Sequence, residues 1–274
     1  MFFASTYIFV FSTSEVHGAE LRIVKSFDFP PEGVLTPYGR PQGLAWDGRY
    51  LWHSTSDDSF KAYGNKIFKL DANGCNIVDE IQAPSSAAGL SWDGEYLWCA
   101  SSSLNRIYKL NSSTGRIVDS IDSPGNTPRG LEFDGEYLWN ADIDDAKIYK
   151  LNPSTGEVVD SFDSPGDSPT GLAFNGEYLW NADFDDAKIY KLNPSTGEVV
   201  DSFDSPGNTP RGLAWDGRYL WNVDGTTLET RYGAKIYQLD VSPSPEIPFC
   251  LGSLAISIFI PVTLIAVRIL KRHR

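Results

Sequence analysis

The chain has 274 residues and is rich in aromatic side chains, with 8 Trp, 13 Tyr and 15 Phe against a single Met. This composition favours a sheet protein, because aromatic residues suit pleated surfaces. The formal net charge of −13 argues against a nucleic-acid partner, since phosphate binding needs a basic face. The three cysteines, Cys75, Cys99 and Cys250, have no metal-ligand spacing and do not suggest a disulfide framework.

The N-terminal segment, residues 1–19, reads MFFASTYIFVFSTSEVHGA, an apolar run that ends in small residues. This order is typical of a secretory signal peptide, and we expect cleavage after Gly18 or Ala19. A buried first strand is the alternative interpretation of the same residues.

A decapeptide of the form GLAWDGRYLW recurs along the chain at spacings of 46, 41, 41 and 41 residues. Its copies begin at Gly43, Gly89, Gly130, Gly171 and Gly212. The units 130–170 and 171–211 differ at only six positions, which indicates duplication of a whole unit. A period near 41 fits either a four-stranded propeller blade or a helical repeat.

The pattern inside unit 130–170 favours the blade. An apolar GLEF run leads into Asp134-Gly135, which predicts a type I′ hairpin turn, and EYLWNA follows as a second strand. The alternating AKIYKLN predicts a third strand, the NPSTG turn ends it, and GEVVDSFD predicts a fourth. No stretch has helical spacing over the ten or more residues that a helix needs.

The fifth unit supplies only three strands before the chain reaches Val241. At the other end, LRIVKSFDFP (21–30) is similar to the fourth-strand text VVDSFDSP. We therefore predict an all-β, five-bladed β-propeller over residues 20–241, closed by its N-terminal strand. Closure would remove exposed sheet edges.

The blade pattern also assigns faces. The DG and NPSTG turns should share the bottom face, and the acidic loops and the SPGNTPR links should share the top face, where propellers usually place their sites. Loops 54–65 and 223–234 are six residues longer than their counterparts, and each contains a Tyr-Gly pair, at Tyr63 and Tyr232. Ring closure should place these two loops side by side, which suggests binding, with simple decoration as the alternative.

Two rings of variable residues are expected at the channel mouth on the top face. The residue before each unit's glycine is Gln42, Ala88, Arg129, Thr170 or Arg211, and the residue after each second-strand Trp is His53, Cys99, Asn140, Asn181 or Asn222. The variation indicates either a binding site or drift at solvated positions. The predicted ligand-binding residues are Gln42, His53, Arg129, Arg211, Asn140, Asn181, Asn222, Tyr63 and Tyr232. The five Trp are expected to pack between blades and not to form a ligand cage.

The acidic loops of the third and fourth blades carry the only candidate metal ligands, and they are weak ones: Asp142, Asp144, Asp145, Asp183, Asp185 and Asp186. The D-x-D-D pattern lacks the glycine and distal glutamate of a calcium loop. We favour aspartates that cap backbone amides of a turn, and we expect no metal and no cofactor.

The run PQGLAWDGRYLWHSTSDDSFKAYGNKIFKLD resembles the glutamine cyclotransferase family of plants and bacteria, whose signature is QGL…L-[FY]-E-ST…YG…I-x-K-[VIL]-D. The matching residues are Gln42, Gly43, Leu44, Ser54, Thr55, Tyr63, Gly64, Lys69 and Asp71. The resemblance implies a five-bladed propeller and cyclisation of N-terminal glutamine. His53 stands in place of the family's acidic Glu, so in an enzyme Gln42 would orient the substrate and His53 would move the proton.

The C-terminal segment predicts a membrane anchor. A linker at 242–248 precedes a predicted transmembrane helix at 249–270, and no charged residue occurs between Ile247 and Val267. The basic tail, 271–274, should stay cytoplasmic, which leaves the propeller outside the cell membrane. A buried core helix is the alternative. The PEIPF stretch with a basic end resembles the sorting tails of archaeal surface proteins, which implies cleavage and a lipid anchor.

Together these features predict a surface-anchored, non-catalytic propeller that binds a ligand or a surface protein through its top face. The alternative is a glutaminyl-peptide cyclotransferase-like enzyme.

Overall fold

The computed structural model describes residues 21–29, 39–56, 65–225 and 234–242. These all belong to the unit Met1–Pro243. The predicted signal peptide, transmembrane helix and basic tail lie outside these ranges, as do Tyr63, Tyr232 and most of both long loops. Within the ranges, the chain forms no helix of the length and apolarity that crossing a bilayer requires.

The described residues form twenty strands in five antiparallel sheets of four. In chain order they are β1 (Arg22–Phe29), β2 (Arg40–Trp46), β3 (Tyr50–Ser56), β4 (Lys66–Asp71), β5 (Ile77–Gln82), β6 (Ala87–Trp92), β7 (Leu97–Ser101), β8 (Arg106–Leu110), β9 (Ile117–Asp122), β10 (Pro128–Phe133), β11 (Leu138–Asp142), β12 (Lys147–Leu151), β13 (Val158–Asp163), β14 (Pro169–Phe174), β15 (Leu179–Asp183), β16 (Lys188–Leu192), β17 (Val199–Asp204), β18 (Pro210–Trp215), β19 (Leu220–Asp224) and β20 (Ala234–Asp240).

Each sheet is one blade, and the predicted ring closure is confirmed. Blades 1 to 4 are β2–β5, β6–β9, β10–β13 and β14–β17, and blade 5 has the order β18-β19-β20-β1. The N-terminal strand runs antiparallel to β20, with Phe27 opposite Ile236 and Phe29 opposite Ala234. The five-bladed propeller predicted from the repeat is therefore correct.

The glycine that opens each repeat lies where two blades approach most closely. A Cβ at Gly89 would overlap the carbonyl oxygen of Arg129, and one at Gly171 would overlap that of Arg211. Only glycine permits this backbone approach. The first strand of every blade thus packs against the first strand of the next, around a central channel.

The tight turn between the first two strands differs in type from the prediction. Of Asp134 and Gly135, only the glycine has a positive φ, of 102°. A type I′ turn needs a positive φ at both central residues, so the predicted type is wrong. The Asp134 amide donates to the Tyr137 carbonyl, and Asp134 Oδ1 accepts from the amides of Glu136 and Tyr137.

The core lies between blades. Each blade buries its repeat tryptophan, to 2% exposure or less, at Trp52, Trp98, Trp139, Trp180 and Trp221. The prediction that these residues form core packing is confirmed. Cys75 and Cys99 are buried free thiols in the same layers.

Candidate functional site

The candidate site is built by the first residues of the innermost strands, where the chain enters each blade from the link that precedes it. Gln42 lies near the start of β2, Arg129 near the start of β10 and Arg211 near the start of β18. These three strands belong to blades 1, 3 and 5, so their side chains approach the channel from three directions.

The three side chains meet on one oxygen atom. Gln42 Oε1 accepts hydrogen bonds from Arg129 Nη1 at 3.2 Å and from Arg211 Nη1 at 3.3 Å. Gln42 Nε2 donates to Ser56 Oγ at 3.0 Å, which fixes the amide orientation. The predicted convergence of Gln42, Arg129 and Arg211 at the mouth is thus what the structure contains. We call these three residues the mouth cluster.

The other two members of the same ring add no free polar group to the mouth. Ala88 is buried. Thr170 Oγ1 donates to backbone carbonyls, those of Ala182 at 3.1 Å and Pro210 at 2.9 Å. The polar character of the mouth therefore comes from blades 1, 3 and 5.

Arg211 is held in a partly buried, electropositive environment. Burial, together with the nearby charges of Arg129 and Arg40, lowers its pKa to about 10, while Asp224 opposes this shift. The guanidinium remains charged at neutral pH. It also lies over the Phe184 ring, with Cζ 5.1 Å from the ring centroid, a distance that suits a cation–π contact.

The second predicted ring does not reach the mouth. His53, Cys99, Asn140, Asn181 and Asn222 are all fully buried. Asn140 shows the reason: its Nδ2 donates to the Gly130 carbonyl at 3.0 Å, and its Oδ1 accepts from the Ser123 hydroxyl at 3.2 Å. Side chains at this position point into the boundary between two blades, so their predicted placement at the mouth is wrong.

His53 follows the same geometry with a different partner. Its Nδ1 lies 3.0 Å from the Gly43 carbonyl oxygen, which requires the proton to be on Nδ1. Its ring meets the Phe29 ring edge-on, with centroids 4.6 Å apart, and Nε2 has no hydrogen-bond partner. Burial lowers the pKa of His53 to about 4, so the imidazole is neutral at physiological pH.

The acidic loops use their first aspartate as a turn cap. Asp142 is buried; its Oδ2 accepts from the Thr127 amide at 2.8 Å and its Oδ1 from the Asp145 amide at 3.3 Å. In the next blade, Asp183 accepts from the amides of Ser168, Asp185 and Asp186. In both loops the first aspartate caps backbone amides of the turn, as we favoured from the sequence. In the portion of the chain with described coordinates, no group of three acidic, Cys or His side chains could hold a metal ion.

Two residues were missed by sequence reasoning, although the repeat contains their signal. Glu132 accepts from the Phe174 amide of the next blade at 2.9 Å, and burial raises its pKa to about 8. Phe184 supports Arg211. Both occupy positions at which the two near-identical units differ, opposite Ala173 and Ile143 respectively.

A solved structure shares this architecture. Glutaminyl cyclase from Myxococcus xanthus superposes with a TM-score of 0.64 at 15% identity, over 82% of this chain and 99% of that one. The chain has the fold of that enzyme. Two structures of virginiamycin B lyase from Staphylococcus aureus, one an inactive variant with quinupristin, have TM-scores of 0.48 and 0.47. Their identities are 20% and 22%, over 75% and 76% of this chain and 68% and 69% of the lyase chains.

No protein-family model matches the sequence, and no curated protein matches it. The comparisons therefore establish the fold.

Proposed function

We propose that this protein is a ligand-binding propeller, displayed at the outer surface of a membrane, that recognises its ligand at the channel mouth on the top face. The observation that carries the proposal is the mouth cluster, in which two guanidinium groups from different blades converge on Gln42. Partly buried, preoriented donors at the end of a rigid scaffold are suited to binding with little ordering cost.

The surroundings of His53 favour binding over catalysis. A general acid or base must lie within hydrogen-bond reach of its substrate, directly or through one water. His53 is fully buried, donates to a backbone carbonyl and packs against Phe29. With a pKa of about 4, it also carries no proton to donate from Nε2 at neutral pH.

The terminal segments support the location that we propose. The apolar run 249–270 and the basic tail 271–274 suit a membrane anchor with a cytoplasmic end, and residues 1–19 suit a secretion signal. The propeller would then face the outside of the cell, where a surface protein or a small molecule could reach its top face.

A thermal-shift screen of the full-length chain in detergent against small molecules and short peptides tests the binding function. Ligands that raise the melting temperature of the wild type should lose most of their effect in Gln42→Ala. They should keep it in Arg218→Ala, which removes an exposed arginine from the opposite end of blade 5. Ligands that act equally on both variants, or a screen without any ligand, would contradict a site at the mouth.

Glutaminyl-peptide cyclisation is the second candidate, favoured by the fold of the Myxococcus xanthus glutaminyl cyclase and by Gln42 in the QGL run. Ammonia release from glutaminyl peptides tests it. We expect no turnover. Turnover that disappears in His53→Asn, the residue that blades 3 to 5 carry at this position, would overturn the binding proposal in favour of an enzyme.

A further inference from the structure

We infer that the mouth cluster is a site for a single carboxylate group of the ligand, held between the guanidinium groups of Arg129 and Arg211. This inference rests on the proposed function and specifies the ligand's chemistry.

Positive charge gathers around Arg211 at the mouth. Arg129, Arg211 and Arg40 are close enough that the charges of the other two lower the pKa of Arg211. Within the described ranges, no carboxylate lies within ion-pair distance of Arg211. Asp224 is the acid whose charge raises the pKa of Arg211. Its two carboxylate oxygens accept hydrogen bonds from the amide and the hydroxyl of Thr209, at 3.1 and 3.0 Å. A bound anion would balance this charge.

Arg211 has hydrogen-bond donors that the described part of the protein does not use. A guanidinium group offers five N–H donors in a fixed fork. Arg211 donates from Nη1 to Gln42, and its buried Nε has no acceptor. The acceptor that the protein supplies is a neutral amide oxygen, Gln42 Oε1. Arg211 therefore keeps donors for a stronger acceptor, and a guanidinium fork matches the planar geometry of a carboxylate.

Arg211 and the ring that it contacts are both among the differences between two near-identical units. Unit 171–211 ends in Arg211 where the sister unit ends in Thr170, and it carries Phe184 where the sister has Ile143. Arg211 and Phe184 contact each other, with Cζ 5.1 Å from the ring centroid. Thr170 instead bonds to backbone carbonyls. Two of only six differences therefore create one supported guanidinium at the channel.

The charge of the rest of the top face selects a monoanion. The acidic loops of blades 3 and 4 carry exposed aspartates, Asp144, Asp145, Asp185 and Asp186, and the whole chain carries −13. This negative field repels a doubly charged phosphate more than it repels a single carboxylate. The planar carboxylate also matches the guanidinium fork.

The test uses the full-length chain in detergent, sodium acetate as the probe, and sodium chloride to hold the ionic strength constant. Acetate should raise the melting temperature and shift the side-chain ¹⁵N–¹H resonance of Arg211, with a dissociation constant on the order of 10 mM. Arg211→Thr, which installs the sister unit's residue, should weaken binding at least roughly tenfold. Arg218→Thr is the matched control on the opposite face and should bind acetate like the wild type.

A second variant is needed in case Arg211→Thr loses acetate binding only because it misfolds. Gln42→Glu places a carboxylate in the protein between the two arginines, so it should raise the melting temperature without ligand and abolish the response to acetate. No acetate effect on the wild type, an equal loss in Arg218→Thr, or tighter binding of inorganic phosphate than of acetate would each overturn the inference. If acetate fails while ligands from the screen still depend on Gln42, the carboxylate assignment is wrong and the binding function stands.

Discussion

The hydrogen bond of the repeat tryptophan's indole N–H is present in four blades and missing in the fifth. In four blades the indole Nε1 donates at 2.8 Å to the aspartate of the DG turn, in the pairs Trp52–Asp47, Trp98–Asp93, Trp139–Asp134 and Trp221–Asp216. Blade 4 has Asn175 in that turn. Its oxygen accepts from the amides of Glu177 and Tyr178, which leaves its NH₂ group towards Trp180. Trp180 Nε1 is consequently buried without a partner.

Replacing that amide should stabilise the propeller. Asn175→Asp gives the Trp180 indole an acceptor and, as in blade 3, a carboxylate near the lysine of the third strand. We expect a gain of about 1 kcal/mol in the free energy of unfolding, measured by urea denaturation at neutral pH. The reverse change in the sister unit, Asp134→Asn, should lose a similar amount. A stability gain from Asp134→Asn would show that the indole bond does not matter.

At the residue scale the repeat text predicted the site only in part. Gln42, Arg129 and Arg211 stood out because they vary beside an invariant glycine, and the structure brings them together. His53 and the asparagines vary in the same way, yet they are buried. The two sets differ in where their side chains point, because side chains of the second strand point into the boundary between blades. Sequence variation alone does not show where a side chain points.

At the scale of whole strands, the residues that meet at the boundaries between blades fall into three kinds. A serine after the fourth strand bonds to the asparagine of the next blade in Ser123–Asn140, Ser164–Asn181 and Ser205–Asn222. Between blades 1 and 2 the same positions hold Ala83 and Cys99, in one apolar cluster. Between blades 5 and 1 they hold Phe29 and His53, in edge-to-face contact. The partners change together, which indicates that His53 is matched to its boundary.

A double-mutant cycle tests that matching. His53→Asn alone should destabilise the protein by about 1–3 kcal/mol, because its amide oxygen would face Phe29 without a donor. Phe29→Ser alone should lose about 3 kcal/mol or more by leaving a cavity. Together they recreate the serine–asparagine pair, so the double variant should be more stable than the sum of the single losses by about 1–2 kcal/mol, measured by urea unfolding. Strict additivity would contradict the matching.

The same variants predict a change in acid sensitivity. The folded-state pKa of His53 is about 4, below its usual 6.5, so the unfolded chain binds the proton more readily between these values. Stability from this group is therefore present above about pH 6.5 and is lost as the pH falls towards 4. The double variant should lack this part of the pH dependence. An unchanged slope between pH 4 and 6.5 would mean that His53 is not buried and neutral.

For the whole molecule, the architecture could be predicted from the sequence because the number of strands in each repeat shows how the ring must close. Five repeat openings and a missing fourth strand leave the N-terminal segment as the natural partner of β20, and the pairing confirms it. The predicted turn type, by contrast, was wrong, because only the glycine of the Asp-Gly pair takes a positive φ. Segments that do not repeat, such as the long loops, offered no internal copy against which to test a prediction.

Closure should also determine stability and assembly. Strand β1 covers the edge of β20, buries Phe29, stacks Phe27 on Trp221 with centroids 6.1 Å apart, and pairs Asp28 with Lys235. Burial of Phe29 alone contributes about 1.5–3 kcal/mol, so a chain that begins at residue 30 should melt roughly 10 °C below one that begins at residue 21.

That shortened chain should also self-associate in sedimentation experiments, because an unpaired strand edge recruits another chain. A peptide of residues 21–29 added in excess should restore the monomer and recover most of the melting temperature by occupying the vacant edge. The two chains share every other residue, so the comparison isolates the closing strand. A shortened chain that stays monomeric with an unchanged melting temperature would show that the blade 5 sheet is stable with three strands and that ring closure contributes little.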